Sequence, residues 1–293
     1  MPFVQAVEAM KLKVGYSVKL TEITPEKMIY AKSVGLDFIE ISGFNALYDT
    51  ERNLVSDENE VKKLILAIKK AVDEAGIKVW SIHMPFGQHI DLSQPNELVR
   101  RETVALHKQV LSFCKVLEPN VLLFHPSYFL GKNERDIRKE QLIRSVDELN
   151  LVVQNMNGNM VIENMLGDRL KKGKTQENPL CRTVQETQEI MSLLPHTVGA
   201  AIDMNHIKNP EKLISSMGER LITVHIADGD GKQECHYFPC SGNGKNNWNK
   251  ILKALDKAGY NGPFMYECAY GDEKDLTDCY NSMFQKAYNK HLN

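Results

Sequence analysis

The sequence predicts a single (β/α)8 barrel, and three observations support this prediction. Eight short apolar runs are distributed along the 293 residues. Amphipathic segments with helical spacing separate these runs, and the connections between them are short. Alternating strands and helices of this kind give parallel strands covered by crossover helices. The chain length also fits one barrel, whose usual size is about 250 residues.

Each apolar run is expected to form one strand of the barrel. The runs consist mainly of β-branched and other large apolar residues, which is typical of buried parallel strands. In chain order they are Leu12–Tyr16, Phe38–Ile41, Lys78–Ile82, Val121–Phe124, Met160–Ile162, Val198–Ile202, Leu221–Ile226 and Phe264–Tyr266.

The segments between the runs carry the signals of helices. Thr24-Pro25 provides a cap and a first-turn proline before the first predicted helix. Glycines stand where helices would end before the next strand. These glycines are Gly35, Gly76 and Gly259, and the apolar positions predicted to share one helix face after the second run are Val61, Leu64, Ile65, Ile68 and Val72.

The domain prediction assigns residues 11–293 to one barrel and residues 1–10 to an N-terminal extension. The first ten residues lack the basic start and long apolar centre of a signal peptide. They are either a frayed extension or the remnant of a trimmed longer terminus. An open sheet with extra units is the structural alternative. No GxGxxG turn follows a strand, so a dinucleotide-binding fold has little support.

Composition restricts the classes of molecule that this protein is expected to bind and the cellular compartment in which it is expected. The formal net charge is −2 and no basic stripe is present, which makes nucleic acid an unexpected partner. No apolar run approaches the ~20 residues that span a bilayer, so no membrane association is expected. The cysteines form no CxxC pair, which predicts free thiols in a reducing compartment, the cytoplasm by default. They are Cys114, Cys181, Cys235, Cys240, Cys268 and Cys279.

Ionisable residues collect at the carboxyl ends of the predicted strands, where barrel enzymes carry out their chemistry. A single histidine or glutamate at such a position is more often a hydrogen-bonded packing residue. A cluster of carboxylates inside a barrel, however, needs a cation to balance it. Nitrogen and oxygen ligands without thiolates suit Zn²⁺, Mn²⁺, Co²⁺ or Mg²⁺. The cluster comprises His83, His125, Glu163, Asp203, His206, His225 and Glu267, with Glu40 from the second run and Asp228 after the seventh.

These residues resemble those of the xylose isomerase-like barrel superfamily, which includes sugar epimerases and isomerases, inosose dehydratases and endonuclease IV. The resemblance extends from Gly15–Ser17 to Tyr266–Glu267. In the ketose 3-epimerase branch, strands five to eight supply Glu, Asp, His and Glu to one divalent metal ion. The resemblance implies that one Mn, Co, Mg or Zn ion per chain is held by Glu163, Asp203, His225 and Glu267.

The segment after the seventh run also resembles a superfamily pattern, in which a polar residue and His precede an aromatic, Pro and a Gly-x-Gly turn. Here it is Glu234–Pro239, followed by Gly242–Gly244. The epimerases carry an arginine six residues after the seventh-strand histidine, and this chain has Gly231 there. Either His236 takes over that substrate contact or the substrate differs.

The resemblance implies proton transfer on a small sugar-like substrate through an enediolate. Glu163 and Glu267 would be the two catalytic carboxylates, one on each side of the substrate plane. His206 matches the histidine of a D-x-x-H pair that contacts substrate oxygens in the epimerases. The full set of predicted substrate contacts is His83, His125, His206, His236 and Glu40.

Three alternatives remain open. A dehydratase or lyase acting on a cyclic polyol or keto-sugar would use the same machinery. Endonuclease IV has a larger ligand set, which His83, His125, Glu234 and His236 match, so an AP endonuclease with several metal ions is the third enzyme class considered. A non-enzymatic sugar-binding barrel would not need both Glu163 and Glu267.

Two further expectations concern the surface. The basic tract Arg169–Lys174 follows Glu163 and is expected to be a solvated loop, or a place where a substrate phosphate or carboxylate docks. Barrels of this type often form homo-oligomers, although the sequence has no exposed apolar stripe that identifies such an interface.

Overall fold

The computed structural model describes residues 11–166 and 176–288, and its central feature is an eight-stranded parallel sheet. Each predicted apolar run lies in one of these strands, with bounds that differ by a few residues. The strands are β1 (Val14–Lys19), β2 (Leu36–Ser42), β3 (Lys78–His83), β4 (Val121–Phe124), β5 (Asn159–Glu163), β6 (Gly199–Asp203), β7 (Leu221–His225) and β8 (Phe264–Tyr266).

The sheet closes into a barrel. Strands that are neighbours in the sequence pair in parallel from β1 to β7, and β8 pairs with β1 in the register Tyr16 to Tyr266. Ile226, directly after β7, donates a backbone hydrogen bond to Met265 (2.7 Å) and accepts one from Glu267 (3.2 Å). The predicted (β/α)8 barrel is therefore confirmed, and the open-sheet alternative is wrong.

Eight α-helices alternate with the strands in the described part of the chain. Thr24 caps the first of them, with its hydroxyl accepting from the backbone of Lys27 at 3.2 Å, as predicted. The second ends at Gly76, whose φ of 68° lies in the left-handed region that favours glycine. The helices are α1 (Pro25–Ser33), α2 (Glu58–Ala75), α3 (Glu97–Cys114), α4 (Arg135–Gln154), α5 (Val184–Leu193), α6 (Pro210–Met217), α7 (Trp248–Lys257) and α8 (Glu273–Tyr288).

Side-chain alternation along the strands determines which residues face the barrel axis. Val121, Leu123, Val161 and Ala201 form a small buried cluster of their own, separate from the main core between strands and helices. Trp80 packs against this cluster and donates a hydrogen bond to Thr223. Because side chains alternate between the two faces of a strand, residues two positions further along also face the axis. The interior thus has an apolar floor with polar residues above it.

Two short strands lie outside the barrel, over its carboxyl end. Leu130–Gly131 pairs antiparallel with Gln176–Glu177 and links the loop after β4 to the loop after β5. The predicted extension at residues 1–10 and the basic tract Arg169–Lys174 lie outside the described residues, so the domain assignment stays a prediction. None of the helices between residues 11 and 288 that the structure describes is long and apolar enough to cross a bilayer.

Two of the cysteines form a disulfide, so the prediction of six free thiols is wrong for this pair. Cys240 lies in the short turn Pro239–Ser241 and Cys279 in α8, with their Cα atoms 5.9 Å apart. The two residues are 39 positions apart in the sequence, and only the folded position of α8 beside this loop brings them together. The cysteine-based reason for expecting a reducing compartment therefore no longer holds.

Reduction of this disulfide is expected to lower the melting temperature by about 4–16 °C. A bridge that closes a loop of this length typically contributes about 2–4 kcal/mol, and each kcal/mol shifts the melting temperature of a large domain by about 2–4 °C. Calorimetry with and without reductant measures the shift. Cys240→Ser should melt at the temperature of the reduced wild type and show no further response to reductant, whereas equal melting of all samples would contradict the expectation.

Candidate active site

Four of the predicted site residues are the last residues of barrel strands, and two more follow directly. His125, Glu163 and Asp203 each stand two positions after a residue of the buried interior cluster, so their side chains also face the axis. His83, Glu163, Asp203 and His225 end β3, β5, β6 and β7, while His125 and Glu267 follow β4 and β8.

Glu163, Asp203, His225 and Glu267 form a compact group, called here the quartet. Each offers one ligand atom, and these four atoms lie within 4.8 Å of one another. His225 Nδ1 lies 2.9 Å from Glu163 Oε1 and 2.7 Å from Glu267 Oε2. A single ring nitrogen carries at most one proton, so it cannot satisfy both carboxylates with a full hydrogen bond.

The donor set of the quartet fits a divalent cation. Asp203 Oδ2 is buried and accepts no hydrogen bond, which is costly for a carboxylate unless a cation balances it. Burial opposes protonation of His225, but Glu267, Glu40 and Glu163 outweigh burial and raise its pKa well above the ordinary value. The site therefore attracts positive charge strongly. Three carboxylates and one imidazole suit Mn²⁺, Co²⁺, Mg²⁺ or Zn²⁺.

A layer of hydrogen bonds behind the quartet orients its members. Glu40 is fully buried, and its Oε2 lies 3.0 Å from His225 Nε2 and accepts from Ser81 Oγ at 2.8 Å. Asn164, which the sequence analysis did not single out, accepts from the backbone N–H of Asp203 at 2.8 Å and donates to its carbonyl at 3.2 Å. Contacts of this kind fix the direction in which a ligand points.

A second polar cluster lies beside the quartet and centres on Glu234. Glu234 Oε2 is 3.2 Å from His206 Nε2 and 2.9 Å from His236 Nε2. The other ring nitrogens face carbonyls, those of Asn164 (2.9 Å) and Glu267 (2.8 Å). Burial opposes protonation of His236, but its hydrogen bond with Glu234 outweighs burial and raises the pKa of His236 to about 9. Burial also opposes protonation of His206, but Asp203 and Glu234 outweigh it and raise the pKa of His206 well above its ordinary value, so both rings are favoured as imidazolium cations.

The loop after β7 folds back to bring His236 to the mouth. Asp228 and Tyr237 pair their backbones through hydrogen bonds of 2.7 and 2.9 Å. The carboxylate of Asp228 accepts from Trp248 Nε1 (2.9 Å) and from the backbone of Asn246 (3.0 Å). Asp228 therefore holds the loop and does not line the cavity described below.

His83 and His125 lie on the opposite side of Glu163 from the second cluster. His125 Nε2 is 3.0 Å and His83 Nε2 3.8 Å from Glu163 Oε2. The ring of Phe86 stacks on His125 with centroids 4.2 Å apart. Burial lowers the pKa of His125, which favours its neutral form. A neutral imidazole beside a carboxylate can bind a metal ion or donate to a substrate oxygen.

These residues open into one cavity of about 430 Å³ at the carboxyl end of the barrel. Its polar part consists of predicted site residues together with Glu234 and Ser127. Its apolar part comes from loops. The polar residues are His83, His125, Ser127, Glu163, His206, Glu234, His236 and Glu267, and the others are Phe86, Tyr128, Phe129, Met165, Leu166 and Pro179.

Glu40 is the one predicted substrate contact that does not line this cavity. It lies behind His225, which separates it from the space where a substrate would enter. Asp203 and His225 also do not line the cavity, although His206 beside Asp203 does. The other predicted site residues come together around one opening, which is the arrangement that parallel strands of a closed barrel produce.

Comparison with known proteins identifies the same architecture. A family model described as "Xylose isomerase-like TIM barrel" matches residues 29–280. Among curated proteins, uncharacterised MJ1614 of Methanocaldococcus jannaschii is 23% identical over 181 residues, which are 61% of this chain and 66% of that protein. The matched region thus spans just under two thirds of that relative.

Solved structures resemble this chain over almost its entire length. A D-tagatose 3-epimerase-like protein has a TM-score of 0.75 at 20% identity, covering 95% of this chain and 99% of its own. YcjR of E. coli, a 3-keto-D-glucoside 4-epimerase, has a TM-score of 0.67 at 18% identity, covering 95% of this chain and 100% of its own. D-psicose 3-epimerase of Clostridium cellulolyticum H10 has a TM-score of 0.67 at 19% identity, covering 94% of this chain and 98% of its own. At these identities the likeness establishes the fold alone.

Proposed function

This chain belongs to the xylose isomerase-like TIM-barrel family, and from that premise we propose that it is a divalent-metal-dependent sugar isomerase or epimerase. It would move a proton between carbon atoms next to a carbonyl group. Several fold relatives are named as ketose 3-epimerases or as a keto-glucoside epimerase, which supports this class of reaction. A small sugar-like molecule is the proposed substrate.

The main observation behind the proposal is that two carboxylates, both lining the cavity, contact the same imidazole ring. Glu163 and Glu267 both approach His225 Nδ1, and both line the cavity. They come from β5 and from the end of β8, so they reach a bound substrate from different sides. One carboxylate can remove a proton from one face while the other returns a proton to the opposite face.

The quartet would hold the metal ion. When bound there, a divalent cation would act as a Lewis acid that withdraws electrons from a substrate carbonyl and acidifies the neighbouring C–H bond. Glu163 and Glu267 would accept and deliver the proton at their free oxygens. Asp203, whose Oδ2 has no hydrogen bond, would serve as a ligand only.

The histidines around the quartet would bind and orient the substrate. His206 and His236, which Glu234 favours in their charged forms, would exchange their Nε2 bonds to Glu234 for hydrogen bonds to hydroxyl or enediolate oxygens of the substrate. His83 and His125 would contact oxygens on the other side of Glu163. Phe86 covers His125 and would exclude water from that side.

A hydrolase with several metal ions is the second candidate, and one specific observation favours it. Three more potential ligand groups share members with the quartet: His83 with His225 and Glu267, His83 and His125 with Glu163, and His206 and His236 with Asp203. Neighbouring metal sites that share carboxylates stabilise both oxygens of a phosphodiester displacement. The resemblance to endonuclease IV implies this arrangement, whereas the net charge of −2 disfavours a DNA substrate.

Metal content separates the two candidates. We expect elemental analysis to find about one Mn, Co, Mg or Zn ion per chain, and chelation to abolish turnover. The metal-loaded enzyme should then exchange substrate protons with deuterated solvent when ketoses and keto-sugars are screened. Two or three zinc ions per chain with cleavage of abasic DNA would support the hydrolase. Absence of bound metal after reconstitution would contradict both candidates.

A further inference from the structure

We propose that a second cavity, between the loops after β6 and β7, binds a phosphate group. This cavity, called here the lysine pocket, has a volume of about 240 Å³ and is separate from the active-site cavity. Phosphate binding there goes beyond the proposed function and does not depend on it. The pocket is lined by Lys208, Lys232 and Lys245, together with Gly229, Asp230 and Asn246.

Close contact between two loop backbones brings two of the lysines together. Gly231 lies directly against the peptide bond between Ile207 and Lys208. A Cβ atom at Gly231 would stand 2.5 Å from the backbone nitrogen of Lys208 and 2.8 Å from the carbonyl carbon of Ile207. The φ of 69° at Gly231 also lies in the left-handed region that favours glycine. Lys232 follows Gly231 directly, so this close approach lets Lys208 and Lys232 line the same space.

Backbone and side-chain hydrogen bonds hold the third lysine beside the other two. Lys245 donates from its backbone N–H to the carbonyl of Gly229 at 2.9 Å. Asn246, the next residue, donates from its backbone to the carboxylate of Asp228 at 3.0 Å. Its side chain donates to the carbonyl of Met204, the residue after β6, at 2.9 Å. The pocket is therefore anchored to the strand ends of the barrel.

The three lysines give the pocket an excess of positive charge. Their three charges face one negative charge, that of Asp230, among the lining residues that the structure describes. None of the three forms an ion pair with a described carboxylate, whereas other surface lysines do, such as Lys139 with Glu189 at 2.7 Å. Like charges held close together repel one another, and a bound anion would offset this repulsion.

A phosphate group fits this arrangement better than a carboxylate or a chloride ion. Phosphate on an organic molecule carries a charge of about −1.5 to −2 at neutral pH and three strong acceptor oxygens. Three separate ammonium groups can each donate to a different one of these oxygens. The volume of about 240 Å³ lies below the ~300–1,000 Å³ of pockets for drug-sized ligands, which also suits a small anion.

The phosphate has two possible sources, because the lysine pocket adjoins the active-site cavity. His206 and Glu234 line the active-site cavity, and Lys208 and Lys232, each two residues away, line the pocket. Two residues span at most about 7 Å, so a phosphate attached to a bound sugar has only a short distance to reach the lysines. A free phosphate or a separate phosphorylated ligand would use the same three ammonium groups.

Calorimetric titration of the full-length protein with inorganic phosphate, at neutral pH and constant ionic strength, tests the proposal. Joint replacement by glutamine removes the three charges and keeps most of the side-chain length. The variant that combines Lys208→Gln, Lys232→Gln and Lys245→Gln should bind phosphate at least about 30-fold more weakly than the wild type. One hydrogen bond to a charged group alone typically contributes about tenfold or more in affinity. Acetate should bind the wild type more weakly than phosphate.

A matched control changes the net charge equally at other positions. It combines Lys63→Gln, Lys115→Gln and Lys286→Gln, whose lysines are exposed on α2, directly after α3 and on α8 and do not line the pocket. The control should bind phosphate as tightly as the wild type. Both triple variants should also melt at the wild-type temperature without phosphate, which shows that the fold is intact.

Fructose and fructose 6-phosphate identify the source of the phosphate. If the substrate carries it, fructose 6-phosphate should bind about tenfold or more tightly than fructose, and the lysine-pocket variant should remove this difference. If a separate ligand carries it, the two sugars should bind alike and inorganic phosphate should leave the affinity for fructose unchanged. Both results support the pocket, provided that phosphate binding depends on the three lysines.

Three results would overturn the proposal. They are undetectable phosphate binding, equal phosphate affinity in the wild type and the lysine-pocket variant, and acetate binding as tight as that of phosphate. The second result would direct attention to the basic tract Arg169–Lys174 as the phosphate site. Failure of the proposed function would appear separately, as absence of solvent proton exchange with every ketose and keto-sugar. Lysine-dependent phosphate binding without exchange would retain the pocket and reject the isomerase.

Discussion

Glu267→Gln is expected to reduce solvent proton exchange into substrate by about 10²–10⁴-fold, the range that a positioned general acid–base group contributes. Glutamine keeps the shape of the side chain but can neither accept nor return a proton. Glu267 lies 2.7 Å from His225 Nδ1 and lines the cavity, so it combines access to substrate with membership of the quartet. Glu163→Gln is expected to have an effect of similar size, because Glu163 stands in the equivalent position on the other side.

The measurement must separate proton transfer from loss of metal. Exchange rates are therefore compared at saturating metal, with the metal content of every sample determined. Glu140→Gln is the matched control, since Glu140 is an exposed glutamate on α4. It should exchange at the wild-type rate. Full activity of metal-loaded Glu267→Gln would show that this carboxylate takes no part in proton transfer.

The barrel was predictable because the sequence features that indicate it involve only residues close together in the chain. The apolar runs and the intervening helical spacing each depend on a few neighbouring residues, and the closed sheet contains all eight predicted strands. The site positions were predictable for the same reason. Alternation along each strand, together with the rule that barrel chemistry lies at the carboxyl ends, brings Glu163, Asp203 and His225 to one opening.

What the sequence did not reveal depends on contacts between distant segments. Cys240 and Cys279 have no spacing signal, because their distance is determined by the packing of α8 beside the loop after β7. The apolar part of the cavity is similar, since Phe129 and Pro179 come from different loops, which are joined by the hydrogen bonds of Ser127 and Arg135 and by the pairing of Leu130–Gly131 with Gln176–Glu177. No periodicity in either loop marks these residues as cavity lining.

Glu40 shows most clearly what the sequence alone does not determine. A glutamate on a barrel strand can contact either a substrate in the cavity or another side chain behind it. As a predicted substrate contact it would line the cavity. Its carboxylate instead hydrogen-bonds to Nε2 of His225 and to Ser81. Carboxylate partners of this kind hold a ligating imidazole in one orientation and make it more basic. We therefore assign to Glu40 a positioning role for His225.

Glu40→Gln is accordingly expected to weaken metal binding by about 10–100-fold, the usual effect of removing such a partner. Glutamine fits the same space but loses the negative charge that favours the ring orientation of His225. At saturating metal the KM for substrate should stay at the wild-type value, because Glu40 does not line the cavity. Metal titration together with steady-state kinetics provides both quantities. Ser81→Ala, which removes only the hydrogen bond to Glu40 Oε2, should weaken metal binding less. An unchanged metal affinity combined with a raised KM would instead identify Glu40 as a substrate contact.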